Sequence, residues 1–527
     1  MSQQTKPEFG KLRSLFFPIY GQELRKFVPM FFMLFLVCFN YSVLRCMKDT
    51  LVVTSSGAEV IPFIKLWVML PTAILLTYIF TKLSNKYSQE KVFYLLTSGF
   101  LATFFVFAFF LYPLRDTLHL TIAPDELEAM VAWAPGFKSM VLMCCNWTFT
   151  GFYVMSELWG SLVMSVLFWG FANEVTKLTE ARRFYSVFSV GSNFAAIAAG
   201  QISNFLMFGG VYHSGFPFGS DAWEQAMMFL VLAVTFSGVS MMLIFRWMNQ
   251  NVLNDSSFDE LHKNKAEMKS GKKKLSIKDS FTYLSKSKYL LCIAIIVVGY
   301  NLVINLTEVI WKDQLRELYP QPCDFNMYMN NLTSMVGVVS TATALFMSWI
   351  IARGGWTFTA CITPCIMLIT SVGFFAFMFF QDSLAPITLA LTGFGPLSIC
   401  VFFGAAQNCL SKAAKYSVFD ATKEMAFIPL DHEHKLKGKA AIDGVGSRLG
   451  KSGGAVIHQS LLFIFVTLGA SAPYVAVLTL IAIAVWFVAT VSLGKQFATM
   501  QVEQGLDIAT DYAPEKKVAR QPVTASS

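Results

Sequence analysis

The chain has 527 residues, 55% of them hydrophobic and 14% charged, with a formal net charge of +8. Soluble domains carry roughly 25% charged residues, so this composition excludes a string of soluble domains and implies an all-α polytopic membrane protein. The positive charge lies largely in the connections between apolar runs, so it calls for no nucleic-acid partner and no required protein partner.

Residues 1–26 read as a polar, basic tail. They show no small-residue cleavage site after a short apolar core, and no long Ser/Arg-rich transit segment. The first apolar run is therefore expected to be the first retained span. Hydropathy then predicts twelve transmembrane helices near 27–50, 60–82, 92–113, 139–172, 183–208, 223–247, 288–311, 327–352, 357–380, 384–411, 442–468 and 472–494. They divide into an N-terminal six-helix half (27–247), a basic linker (248–287) and a C-terminal six-helix half (288–494), with a tail (495–527) expected to be disordered.

Lys and Arg mark alternate connections. The tail holds Lys6, Lys11, Arg13, Arg25 and Lys26; later basic connections hold Lys82, Lys86 and Lys91, then Lys177, Arg182 and Arg183. The linker is rich in lysine, and the tenth connection carries Lys412, Lys415, Lys423, Lys435, Lys437 and Lys439. The intervening connections are poor in base or acidic, as at Asp125, Glu126 and Glu128. The positive-inside rule puts both termini in the cytoplasm. The ten cysteines follow no zinc or disulfide spacing and read as small buried side chains.

The two halves resemble each other. Asn40-Tyr41 and the end of the first span align with Tyr300 and the end of the seventh, which sets Asp49 over Glu308. Gly191-Ser192 in the fifth span aligns with Gly446-Ser447 in the eleventh. Two parallel six-span halves suggest a major-facilitator-like transporter, with substrate bound between the halves near the bilayer midplane.

Few ionisable residues lie well inside the apolar segments. They are Arg45, Lys48 and Asp49 in the first span, Glu157 in the fourth, Glu308 in the seventh, and Arg448 and Lys451 in the eleventh. Glu157 is the only charged residue from Ser139 to Asn173. A carboxylate at the centre of such a helix costs about 2.5–3.5 kcal/mol on insertion scales, which points to a function. Arg45, Lys48 and Asp49 are spaced i, i+3, i+4 and share one helix face. Basic clusters from both halves, converging on a central cavity, suit a polyanionic substrate, because a cation there is less screened than at the surface. The carboxylates would hold those cations when no substrate is bound. The plainer alternative is that the charges pair only with one another and lock the bundle. Lys65 lies near a span end, where its stem can snorkel.

Other signals are weaker. Residues 443–452 (DGVGSRLGKS) look like a phosphate-binding loop, but Val445 stands where the motif needs its first glycine, and no strand precedes it. The glycines read instead as sites of close helix packing, which also let a phosphate approach Lys451. Trp147, Phe149, Tyr153, Trp159, Phe168 and Trp169 crowd the fourth span, and any one of them is a candidate to stack on a base. His432-Glu433-His434 is an isolated His-x-His, and His458 either faces the cavity or packs.

Several strings are long and specific: KDTLVV from Lys48, GAEVIPFIKLW, NWTF, FYVMSELWGS, LFWGFANE, EVIWK at Glu308, and KYSVFDATKEMAFIPLDHEHKLKGKAAIDGVGSRLGKSGGA. In these, from Lys6 to Lys495, the chain resembles the nucleotide transporter family, the ATP/ADP translocases of plastids and obligate intracellular bacteria. The resemblance implies exchange of external ATP for internal ADP and phosphate across a bacterial inner membrane, without hydrolysis and without a cofactor. The family's functional charges fall on Lys48, Glu157, Glu308 and Lys451. Cys46-Met47 departs from the polar Asp-Thr pair that precedes the lysine in several members. Proton-coupled import of a broader range of nucleotides is therefore the alternative.

Overall fold

A computed structural model describes residues 19–252, 287–430 and 438–504, apart from 121, 124, 127, 128, 130, 131, 133, 134, 177 and 440. The tail before residue 19, linker residues 253–286, the His-x-His at 432–434 and the segment from 505 lie outside the described residues.

Among the described residues the chain is helical, with long helices on all twelve expected positions. In lipid every backbone N–H and C=O must be satisfied within the chain, and long apolar runs meet that demand as helices. We number them α1 (Leu24–Ser56), α2 (Val60–Lys86), α3 (Gln89–Leu111), α4 (Trp147–Val175), α5 (Leu178–Leu206) and α6 (Ala222–Asn251). The second half holds α7 (Lys288–Leu318), α8 (322–352), α9 (Arg353–Phe379), α10 (Gln381–Thr392 with Pro396–Ala426), α11 (Ser447–Phe465) and α12 (Leu468–Gln504).

Glycines and small polar caps set the ends. Gly57 terminates α1 at φ 95°, and a kink at Gly355, at φ 70° near the start of α9, sets α9 off from α8. Gly393, in the left-handed region at φ 73°, bends α10 by 82° between its two arms. The side chains of Ser88, Asp221 and Ser287 accept from the first-turn N–H groups of α3, α6 and α7.

Eight of the described helices are long and apolar enough to cross a membrane, or nine if the bent α10 is one span. The helices outside that count are α5, α8 and α11. They are the more polar ones because they face the opposite half. Gln201 on α5 donates to Ser334 on α8 at 2.9 Å, and Asn204 donates to Asn331 at 2.6 Å. Gln459 on α11 donates to the Pro62 carbonyl on α2 at 2.9 Å.

Four boundaries differ most from expectation. The fourth span begins at Trp147 rather than near 139, behind a separate short helix Lys138–Cys145, and α7 runs to Leu318 rather than 311. The second arm of α10 runs on to Ala426, so Lys412, Lys415 and Lys423 lie on a helix rather than in a loop. The last helix runs past 494 to Gln504.

The halves share one plan. In the first, α1 packs against α4, α5 and α6; in the second, α7 packs against α10, α11 and α12. Contact between halves is concentrated at the end opposite the termini. Inter-half hydrogen bonds run from residues 45–65 and 197–207 to residues 305–334 and 459. There one hydrophobic core is continuous across both halves, joining Phe104 and Trp159 to Leu306, Phe325 and Leu462. Towards the terminal end the second half keeps a core of its own around Tyr300, Phe419 and Trp486, while much of α2 beyond Trp67 is exposed. Among the described residues the bundle is thus closed at the far end and open at the end that carries the termini.

Closure depends on two glycines. A Cβ on Gly337 would lie 2.6 Å from the Asn193 carbonyl oxygen, and one on Gly200 would strike Ser334 and the Asn330 carbonyl. Gln201→Cys combined with Ser334→Cys should therefore be joined by a short thiol cross-linker in most molecules. Adding Gly337→Val should cut that yield severalfold, read by gel mobility after cleavage of the linker. An unchanged yield would mean that α5 and α8 do not meet this closely.

Candidate functional site

The site begins with the shared face of α1. Lys48 and Asp49 are adjacent, and Arg45 lies one turn away towards the termini. Lys48 Nζ donates to Asp49 Oδ1 at 2.8 Å and pairs with Glu157 Oε1 of α4 at 2.9 Å. The same ammonium stands 3.9 Å above the Tyr153 ring. The other oxygen of Asp49 pairs at 2.9 Å with Lys312 of α7, across the gap between halves.

Glu308 is the second hub. Its Oε1 lies 3.2 Å from Arg45 Nη2, 3.5 Å from Lys312 Nζ and 3.8 Å from Lys412 Nζ of α10. Lys312 is one helical turn beyond Glu308, so the α7 backbone sets that pair. Lys65 of α2 donates to Asn305 of α7 at 3.2 Å, so it points inward to the other half rather than snorkelling to a surface.

Exposure divides the network. The side chains of Lys48, Asp49 and Lys312 are 2%, 0% and 4% exposed; those of Glu157, Arg45 and Lys412 are 23%, 28% and 19% exposed. One edge is dry and sits under the closed end. The other edge faces the opening.

Five of the seven sequence-predicted charges come together here: Arg45, Lys48, Asp49, Glu157 and Glu308. Arg448 and Lys451 do not join them. Both are exposed on α11, and neither makes an ion pair among the described residues. Lys451 is within electrostatic reach of Glu157 and Lys415, which sets it on the open side of the network.

Lys312 and Lys412 were not among the predicted charges. Lys312 sits in a stretch dense enough in charge to look like a span end, and Lys412 directly follows an apolar run. The i, i+4 spacing from Glu308 was the available signal for Lys312.

The remaining candidates are mostly structural. The resemblance to a phosphate loop folds as helix, with a π-helical turn over Ile442–Gly446 leading into α11. Gly450 and Gly454 let α11 lie against α7, since a Cβ there would approach Asn301 and Asn305 Cβ to 2.7 and 2.8 Å. His458 is buried, with Nε2 3.0 Å from the Leu306 carbonyl. Of the α4 aromatics, Trp159 donates to the Val37 carbonyl inside the first half, Phe149, Tyr153 and Phe168 are buried, and Trp169 packs on Tyr185. Trp147 is exposed, but at the closed end, where it donates to the Leu118 carbonyl.

The profile of the TLC ATP/ADP transporter family matches residues 2–497. The ADP,ATP carrier protein 1 of Chlamydia pneumoniae is 44% identical over 521 residues, which is 98% of this chain and 99% of that protein. The ADP,ATP carrier protein 1 of Rickettsia bellii is 39% identical over 493 residues, covering 93% of this chain and 97% of its own. Among solved structures, a bacterial metal transporter aligns with a TM-score of 0.54 at 10% identity, covering 89% of this chain and 98% of that one. A D-xylose-proton symporter aligns at 0.52 with 11% identity, covering 89% and 97%. These structural likenesses show the fold, a major-facilitator-like pair of six-helix halves.

Removing one partner of a buried ion pair leaves the other charge stranded, at a cost of about 3–5 kcal/mol. Asp49→Asn should therefore lower the thermal inactivation midpoint of the purified protein by several degrees. Pairing it with Lys312→Met should recover much of that loss. Equal midpoints for Asp49→Asn and the unaltered chain would show that the pair carries no stability.

Proposed function

This chain belongs to the TLC ATP/ADP transporter family, and we propose that it exchanges external ATP for internal ADP and phosphate across the bacterial inner membrane by alternating access, without hydrolysis. The observation that carries this reading is the convergence of cations from both halves on the gap between them: Arg45 and Lys48 from the first, Lys312 and Lys412 from the second. Four cations share three carboxylates in direct contact, an excess that suits a polyphosphate.

Both termini are cytoplasmic in this reading, supported by the basic connections at that end. The open end then faces the cytoplasm. Arg448 and Lys451 meet the phosphates on entry from that side. Arg45, Lys48, Asp49, Glu157 and Glu308 form the deeper substrate site. Phosphate oxygens replace carboxylates as partners of the cations, and Glu157 and Glu308 hold those cations between substrates.

Obligatory exchange follows from the same contacts. Opening the far end separates Arg45 from Glu308 and Asp49 from Lys312. Breaking such buried pairs without a substitute costs roughly 3–5 kcal/mol, which slows reorientation of the empty carrier by about 10²–10⁴-fold. A bound nucleotide supplies the substitute. The Cys46-Met47 departure does not weigh against this reading, because both side chains are buried and Cys46 Sγ lies against Thr333 Oγ1 at 3.3 Å. It changes a contact between halves, not the open edge of the site.

Proteoliposomes loaded with ADP should take up labelled ATP about 10²-fold faster than empty ones. Equal rates would overturn the exchange reading. Loss of concentrative uptake on adding a protonophore would favour proton-coupled import instead. Lys48→Ala and Lys451→Ala should each depress exchange by an order of magnitude or more at unchanged membrane insertion.

A further inference from the structure

Glu308 is claimed by more cations than it can neutralise. Lys312 has a second carboxylate in Asp49, at 2.9 Å. Arg45 and Lys412 have no second ion-pair partner among the described residues. The other polar contact of Lys412 is a neutral one, to Asn408 Oδ1 at 3.2 Å. One cation from each half therefore depends on the same carboxylate oxygen, and both lie on the open edge of the network. Charges inside a membrane bundle are costly unless paired. The arrangement is complete only when a further anion arrives.

The internal duplication points to the same residue. The two registers of the duplication, 255 positions from Gly191 over Gly446 and 259 from Asp49 over Glu308, carry Glu157 onto positions 412 and 416, one helical turn apart on α10. The local backbone agrees. A π-helical stretch begins at Trp159, two residues after Glu157, and another begins at Lys415, three residues after Lys412. Such turns often occur where a helix presents functional side chains. The halves thus place opposite charges within one turn of equivalent points on α4 and α10, both directed at the gap.

We propose that Lys412 is a phosphate ligand of the transported nucleotide, closing on it from α10 while Arg45 closes from α1. This inference rests on the exchange reading above and adds a residue to its site. A phosphate dianion brings the second negative charge that the pair lacks. Arg45 offers it a planar fork and Lys412 a point charge. Glu308 stays with Lys312, which is already 3.5 Å away. Because the two ligands belong to different halves, the phosphate ties the halves together, and a nucleotide with more phosphates does so more strongly.

The test compares the full chain with Lys412→Gln and Lys412→Arg in ADP-loaded proteoliposomes. The readouts are the KM for ATP and the inhibition constants of ADP and AMP. Lys412→Gln should raise the KM for ATP tenfold or more and shrink the ATP-over-AMP preference by a similar factor; Lys412→Arg should stay within threefold of the unaltered chain. A purely structural lysine would lower the amount of active protein and leave the preference unchanged, so an unchanged preference in a folded Lys412→Gln chain overturns the proposal. If the unaltered chain performs no exchange, the exchange reading falls, and ATP binding to the purified chains decides the role of Lys412. Equal affinity in Lys412→Gln then rejects it, and a tenfold loss restored by Lys412→Arg supports it.

Discussion

The contact on which the rest depends is the dry chain of charges Lys48–Asp49–Lys312. Its members are almost wholly buried and belong to both halves. Burying charge in a bundle surrounded by lipid is expensive, and the expense is tolerable only with near-ideal pairing. Asp49 meets a cation with each oxygen, and Lys48 meets two carboxylates and the face of Tyr153. A bundle that needed only to hold together would bury apolar side chains here. The charges make the closed end a state that can be exchanged for another, provided something else solvates the cations.

The surrounding structure serves that condition. Gly200 and Gly337 bring α5 and α8 close enough for Asn193 and Asn330 backbone to approach the facing helix, which shuts the far end over the network. Gly450 and Gly454 hold α11 against α7, leaving Arg448 and Lys451 exposed. Polar side chains that lowered the hydropathy of α5, α8 and α11 are the ones that bond across the gap. Function and weakened membrane signal have the same cause in these three helices.

Much of this was legible in the sequence because insertion into lipid is a severe filter. All twelve helices were visible as apolar runs, and an isolated charge such as Glu157 stood out against its surroundings. What escaped was charge near the ends of those runs. Lys412 directly follows an apolar stretch and looked like loop, yet the helix continues to Ala426 and turns it inward. Lys65 looked free to snorkel but bonds to Asn305. Hydropathy records how apolar a segment is, not which way one side chain at its end will point; packing between halves decides that. The same limit applies to Lys451, whose position beside the network rather than in it depends on how far the halves are apart.

The central claim is that phosphate groups take the place of carboxylates as partners of cations held between two halves. It is tested most directly by equilibrium titration of the purified protein with adenosine, AMP, ADP and ATP, at fixed salt. The account predicts affinity that climbs with each phosphate, by about tenfold or more from AMP to ATP, each tenfold step being about 1.4 kcal/mol. Adenosine binding as tightly as ATP would contradict it.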